Sequence, residues 1–87
     1  MSSILEEAHV VIYGDREKTY GDPGRNLRVI AALWNTYLDA LDHPLGPDDV
    51  AQMMILMKVA RLTNKAGHRD SLVDIAGYAA LVERIFK

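Results

Sequence analysis

Apolar residues recur at intervals of three and four positions along four stretches of the chain, which is the pattern of amphipathic helices. Pro23 and Pro47 suit the first turn of the second and third helices, where the missing N–H costs no hydrogen bond. Ser3 and Asp22 are suited to cap the helices that follow them. The predicted helices cover residues 4–13, 23–41, 47–62 and 70–86. The pattern therefore predicts an all-α fold, organised as one helical domain over residues 1–87.

A long polar segment, GDREKTYGDPG, separates the first two predicted helices between Gly14 and Gly24. It holds three glycines, one proline and five charged residues and shows no apolar periodicity, so it is predicted to be a loop. A connection of this length in a compact helical domain is typical of a functional segment.

Composition excludes several classes of protein. The 87 residues carry 10 Lys and Arg against 12 Asp and Glu, a net charge of −2, which argues against duplex nucleic acid as a partner. The absence of cysteine excludes disulfides and thiol chemistry. Acidic residues near the N-terminus do not fit a signal peptide, and apolar runs such as Met53–Met57 are too short to cross a bilayer. We therefore expect a cytoplasmic protein with no membrane partner.

The apolar content predicts an oligomer. Hydrophobic residues make up 49% of the chain, whereas a domain of this size buries only about 60–65% of its unfolded surface. Apolar stripes that one small core leaves uncovered are usually covered by another subunit. We therefore expect a homo-oligomer, with a dimer favoured over a small monomer that fills its own core. Gly77 in the last helix is predicted to mark a close contact between helices.

Four oxygen-bearing side chains of the last two predicted helices form a candidate metal site. Asp70 and Asp74 share one face of the last helix, and Asp49 and Gln52 share a face of the third. Oxygen ligands from facing helices can hold Mg²⁺. Asp49 and Asp70 are also explained by the helix dipole, which favours acids in the first turn. Asp74 lies among apolar residues inside a helix, where an acid usually has a partner.

Basic and aromatic side chains form a candidate nucleotide-binding set. Lys58 and Arg61 lie in the apolar stretch MMILMKVARL, where each would contact either Asp74 or a phosphate, or reach out to solvent. Tyr78 shares the face of Asp74, and His68 is either a proton-transfer group or polar surface. The loop and the start of the second helix add groups suited to an anion and a stacked base: Arg16, Lys18, Tyr20, Arg25 and Asn26. A solvated loop before a capped helix explains the same residues.

Two stretches of the chain carry a resemblance to known proteins. The sequences GPDDVAQMM and HRDSLVDIAGY resemble a small phage-associated domain family of uncharacterised function. The resemblance covers nearly the whole chain, and it implies a protein that acts in the cytoplasm of a bacterial host.

The same two helices are similar, more distantly, to the MazG-like all-α nucleoside triphosphate pyrophosphohydrolases. Those enzymes hold Mg²⁺ with a Glu-x-x-Glu and a Glu-x-x-Asp, and the resemblance implies a four-helix MazG-like bundle completed by oligomerisation. Carried over by position, Asp49 and Gln52 match the first pair and Asp74 matches the last ligand. Ser71 stands at the remaining position, with Asp70 just before it. The implied metal site is therefore short of carboxylates.

Three functions follow from these observations. The favoured one is a Mg²⁺-dependent nucleoside triphosphate pyrophosphohydrolase in which Asp74 and Lys58 are catalytic. The second is a non-catalytic protein that sequesters a nucleotide, such as a cyclic oligonucleotide immune signal of the host, and needs no cofactor. The third is an interaction module whose charged residues are only caps and surface.

Overall fold

The computed structural model describes residues 3–13 and 22–87, and in these ranges it contains four helices and no strand. The helices are α1 (Ile4–Tyr13), α2 (Pro23–Ala40), α3 (Pro47–Leu62) and α4 (Arg69–Ile85). The predicted all-α fold is confirmed, and each predicted helix is present to within one residue at either end. Most of the predicted loop at 14–24 lies outside the described residues, whereas Gly24 belongs to α2. Over the described part of the chain, none of the helices combines the length and the apolar character needed to cross a membrane.

The predicted caps are present at the first two helices. The Ser3 hydroxyl accepts a hydrogen bond from the Glu6 N–H at 3.1 Å, and the Asp22 carboxylate accepts one from the Arg25 N–H at 2.8 Å. Pro23 occupies the first turn of α2, as its lack of an N–H favours. Local sequence therefore sets where these helices begin.

Helix α3 lies between α2 and α4, and it runs antiparallel to both. Tyr37, near the end of α2, contacts Asp49 at the start of α3, and the end of α3 reaches back to Arg25. Among the described residues, α2 and α4 share no extensive contact with each other, and α1 packs extensively against none of the other helices. The radius of gyration is 15.0 Å, against about 12 Å for a compact chain of this length. The helices therefore form an open layer rather than a closed four-helix bundle within one chain.

The interior of this layer is small and unusually polar. Among the described residues, the buried apolar ones are Ile30, Ala51 and Ala60. In the same part of the chain, four polar or charged residues are buried: Asn26, Asp49, Lys58 and Ser71. Burial of such groups is favourable only when they are hydrogen-bonded or paired. Specific polar contacts therefore carry much of the packing between the helices.

Trp34 illustrates how polar contacts join α2 to α3. Its indole N–H donates a hydrogen bond to the Met53 carbonyl at 2.7 Å, while the ring packs in the partly buried contact between the helices. Leu27, which lies seven residues before Trp34 and so on the same face of α2, is 62% exposed. The apolar stripe of α2 is thus only partly covered within the chain.

The predicted close contact at Gly77 is not formed within the chain. A Cβ atom built on Gly77 would meet no atom within 4 Å, and the residue is exposed. In this chain α4 turns this face away from α3, so none of the other described helices approaches it.

The cap of α2 gives a test of this local structure. We expect Asp22→Ala to lower the free energy of unfolding by about 1 kcal/mol, because the Arg25 N–H loses its acceptor. Urea denaturation followed by circular dichroism at 222 nm measures the change. The control is Asp22→Asn, which retains an N-cap acceptor and should stay close to the wild type. An equal loss in both variants would contradict the capping role.

Candidate functional site

The antiparallel order of the helices brings the start of α2, the end of α3 and the start of α4 to one end of the layer. We call this the basic end, since cationic side chains outnumber acidic ones there. Its basic residues are Arg25, Arg28, Lys58, Arg61, Lys65 and Arg69, and its acidic residues are Asp22, Asp70 and Asp74. The opposite end carries Asp39, Asp42, Asp48, Asp49 and Glu83 against Arg84 and Lys87. The two ends of this layer therefore carry net charges of opposite sign, in a chain whose overall net charge is −2.

An ion pair between α3 and α4 lies at the centre of the basic end. The Lys58 Nζ and the Asp74 Oδ2 are 2.8 Å apart, so of the alternatives open for Lys58 the contact with Asp74 is the one that is formed. Lys58 is only 9% exposed, whereas the Asp74 side chain remains about half accessible. The hydrogen bond from Lys58 lowers the pKa of Asp74 despite its partial burial, with smaller contributions from the nearby charges of Arg61 and His68. A single carboxylate is thus surrounded by several cationic groups.

Two side-chain contacts hold the neighbouring segments in place. His68 Nδ1 and Ser71 Oγ are hydrogen-bonded at 2.7 Å, and Ser71 is almost completely buried. Arg25 Nη1 lies 3.5 Å from Thr63 Oγ1 and so reaches from α2 to the residue that follows α3. Ser71, the residue at the fourth MazG-like position, therefore anchors the start of α4.

Asn26 is the most deeply buried of the nucleotide-binding residues that the structure describes. It is 3% exposed, and its Oδ1 has no hydrogen-bond partner in the described part of the chain. An unsatisfied buried acceptor costs free energy, and native structures contain few of them. The Oδ1 of Asn26 is thus a buried acceptor that no described residue satisfies.

Asp49 belongs to a separate network at the opposite end. Its two carboxylate oxygens accept hydrogen bonds from the Tyr37 hydroxyl at 2.6 Å and from the Gly46 N–H at 2.9 Å. The Gln52 amide donates to the Tyr37 hydroxyl at 2.6 Å. The bonds from Tyr37 and Gly46 lower the pKa of Asp49, and the same carboxylate raises the pKa of Tyr37. The spacing of Tyr37 places it on the apolar stripe of α2, so the sequence pattern does not predict its hydrogen bond to Asp49.

The four predicted metal ligands therefore fall into two groups. Asp49 and Gln52 lie near the start of α3, while Asp70 and Asp74 lie at the basic end. Asp49 precedes Lys58, the partner of Asp74, by nine residues, which is about 13 Å along a helix. In residues 3–13 and 22–87, no three His or acidic side chains are placed so that they could hold a metal ion together.

The other predicted nucleotide-binding residues lie in different parts of the chain. Tyr78 lines an open groove of about 540 Å³ between α3 and α4, together with Val50, Met54 and Leu81. The predicted loop residues lie outside the described part of the chain: Arg16, Lys18 and Tyr20.

These observations define an all-helical protein with a basic candidate site at one end of an open helical layer. The chain belongs to a family described as a domain of unknown function, DUF6378, whose model matches residues 3–86. It is 49% identical over 85 residues to the "Gene 55 protein" of Mycobacterium phage D29, and 45% identical over 83 residues to the "Gene 55 protein" of Mycobacterium phage L5. The predicted relation to a phage-associated family is confirmed.

The chain spans about half the length of these curated relatives. The match covers 98% of this chain and 54% of the D29 protein, and 95% of this chain and 52% of the L5 protein. No solved structure matches the chain. The similarity to MazG-like enzymes stays a prediction.

The two lowered carboxyl pKa values predict a pH-dependent stability. Asp49 and Asp74 have folded-state pKa values below the ordinary 3.8, so their contribution is complete above that pH and is lost as the pH falls through the folded values. The urea midpoint, measured by circular dichroism between pH 6 and pH 2, should therefore fall on acidification. Asp49→Asn should have a lower midpoint at pH 6 and a smaller fall.

The control for this measurement is Asp39→Asn, which alters an exposed carboxylate of α2 outside both contacts. It should retain the wild-type pH dependence. If Asp49→Asn also retained it, the carboxylate of Asp49 would not be the group that links stability to protonation.

Proposed function

We propose that this chain is a phage protein that binds a nucleotide through its phosphates at the basic end and releases it unchanged. The observation that carries the proposal is the collection of six cationic side chains, five from three helices and Lys65 from the connection between α3 and α4, at one end of a chain that is acidic overall. Arg supplies a bidentate fork for phosphate oxygens, and Lys supplies a point charge. An excess of one sign of charge at one end also attracts an anionic ligand from a distance.

The ion pair of Lys58 with Asp74 supports this site by holding an ammonium group in a fixed position. A free lysine side chain would lose conformational entropy on binding, whereas the 2.8 Å contact to Asp74 has already ordered it. The surrounding Arg25 and Arg69 are exposed and so accessible to phosphate oxygens.

The positions of the carboxylates favour binding over hydrolysis. Mg²⁺ requires its ligands at about 2.0–2.1 Å in octahedral geometry, while Asp49 is committed to Tyr37 and Gly46 far from Asp74. The hydrogen bond from Lys58 lowers the pKa of Asp74, which makes it a weaker base for activating water. A pyrophosphohydrolase remains the second candidate, since Asp70 and Asp74 lie one turn apart beside the basic cluster.

The experiment that separates these functions is an incubation with nucleoside triphosphates and with cyclic di- and trinucleotides, in Mg²⁺ and in chelator. Chromatography reads the free nucleotide pool before and after the protein is heat-denatured. We expect one species to be depleted in both conditions and to return intact after denaturation. Conversion of a triphosphate to its monophosphate would overturn non-catalytic binding and establish the hydrolase. No depletion of any species would overturn nucleotide binding and favour an interaction module.

The basic end gives the matching mutational prediction. For the depleted species, we expect Arg25→Ala/Arg69→Ala to weaken binding at least about tenfold, because two exposed charge-assisted contacts are lost. Isothermal titration calorimetry measures the dissociation constant. The control is Lys87→Ala, which removes an exposed cation from the opposite end and should leave affinity unchanged. Equal weakening by both changes would place the ligand elsewhere.

A further inference from the structure

The surface that one chain leaves exposed is larger than a folded protein of its size requires. The chain exposes 6351 Å², whereas a compact monomer of 9.7 kDa exposes about 5,100 Å². The excess is more than the roughly 800 Å² that each partner buries in a stable interface. Many of the exposed side chains are large and apolar. In α4 the exposed large apolar residues are Leu72, Val73, Leu81 and Ile85.

One face of α4 has the shape and chemistry of a helix contact. Gly77 lies at its middle, with open space where a side chain would project. Val73 and Leu81 lie one turn to either side of it and are 55% and 48% exposed. The groove of about 540 Å³ between α3 and α4 continues this face through Val50 and Met54. The α3–α4 hairpin therefore presents a continuous apolar surface that α2 does not cover.

We propose that this surface binds a second copy of the chain, with the two α4 helices crossing antiparallel at Gly77. In that arrangement, residues equally distant from Gly77 in opposite directions face each other. Val73, four residues before Gly77, meets the partner's Leu81, and Asp70, seven residues before it, meets the partner's Arg84. Intervals of four and seven residues keep all of these on one helix face. Each apolar contact and each ion pair occurs twice, as a two-fold interface requires.

Charge complementarity selects a second copy as the occupant. An antiparallel pairing places the basic end of one chain beside the acidic end of its partner, where Asp48 and Glu83 lie. A parallel pairing would place like charges together, which opposes association. The absence of a side chain at Gly77 lets the two helix backbones approach closely. Two α3–α4 hairpins then complete a four-helix bundle that a single chain does not form.

Sedimentation velocity tests this dimer, with circular dichroism to confirm that each variant stays helical. We expect the wild-type mass to be twice the 9.7 kDa of one chain at micromolar concentration. Gly77→Leu should raise the dimer dissociation constant at least about a hundredfold, because the new side chain holds the helices apart. A Cβ at this position meets no atom within 4 Å, and leucine favours a helix more than glycine does, so the change should not unfold the monomer.

A charge reversal tests the register. Arg84→Glu should weaken the dimer, because it opposes the partner's Asp70, and Asp70→Lys combined with Arg84→Glu should restore it. The control is Ala76→Leu, an exposed change on another face of α4 that should leave the dimer intact. A monomer at every concentration would overturn the proposal. A dimer that Gly77→Leu and Arg84→Glu leave unchanged would also overturn it, and would locate the interface on other apolar residues such as those of α1.

Discussion

The ion pair between Lys58 and Asp74 is the contact on which the rest of the arrangement depends. It sets the register of α4 against α3, because a nearly buried ammonium group must keep its counterion. With that register, the end of α3 and the start of α4 bring their basic residues together. The same register turns the face that contains Gly77 away from α3. The basic end and the exposed apolar face are thus two consequences of one contact.

The polar interior explains why the chain is open. Alanines and polar side chains occupy the positions that large apolar residues fill in a self-sufficient small domain, so the layer buries little hydrophobic surface. Hydrogen bonds such as the one from Tyr37 to Asp49 give the layer a specific geometry, but their net contribution to stability is modest. A further apolar contact would add stability. In the proposed dimer, a second copy of the chain would provide it without covering the whole basic end.

The two carboxylate groups have separate roles. Asp49 satisfies the Gly46 N–H and the Tyr37 hydroxyl, and so fixes the turn between α2 and α3. Asp74 orients Lys58 at the other end. From the sequence, Asp49 is open to a helix-start or a metal-binding role, and Asp74 to a metal ion or a cation; the structure pairs Asp74 with Lys58. The sequence did not decide their separation in space, because that depends on the antiparallel packing of α3 against α4, which places the first turns of the two helices at opposite ends.

The sequence by itself determined the helices and their ends, since apolar periodicity, Asp22, Pro23 and Pro47 act within one or two turns of the chain. It also determined that apolar surface would exceed what one chain covers. The tertiary structure alone decided which residues are buried. Asn26 is buried without a partner for its Oδ1, and Gly77 faces open space rather than a neighbouring helix. Both outcomes depend on the angular position of each helix about α3, which arises from contacts between residues distant in sequence, and local patterns carry no record of it.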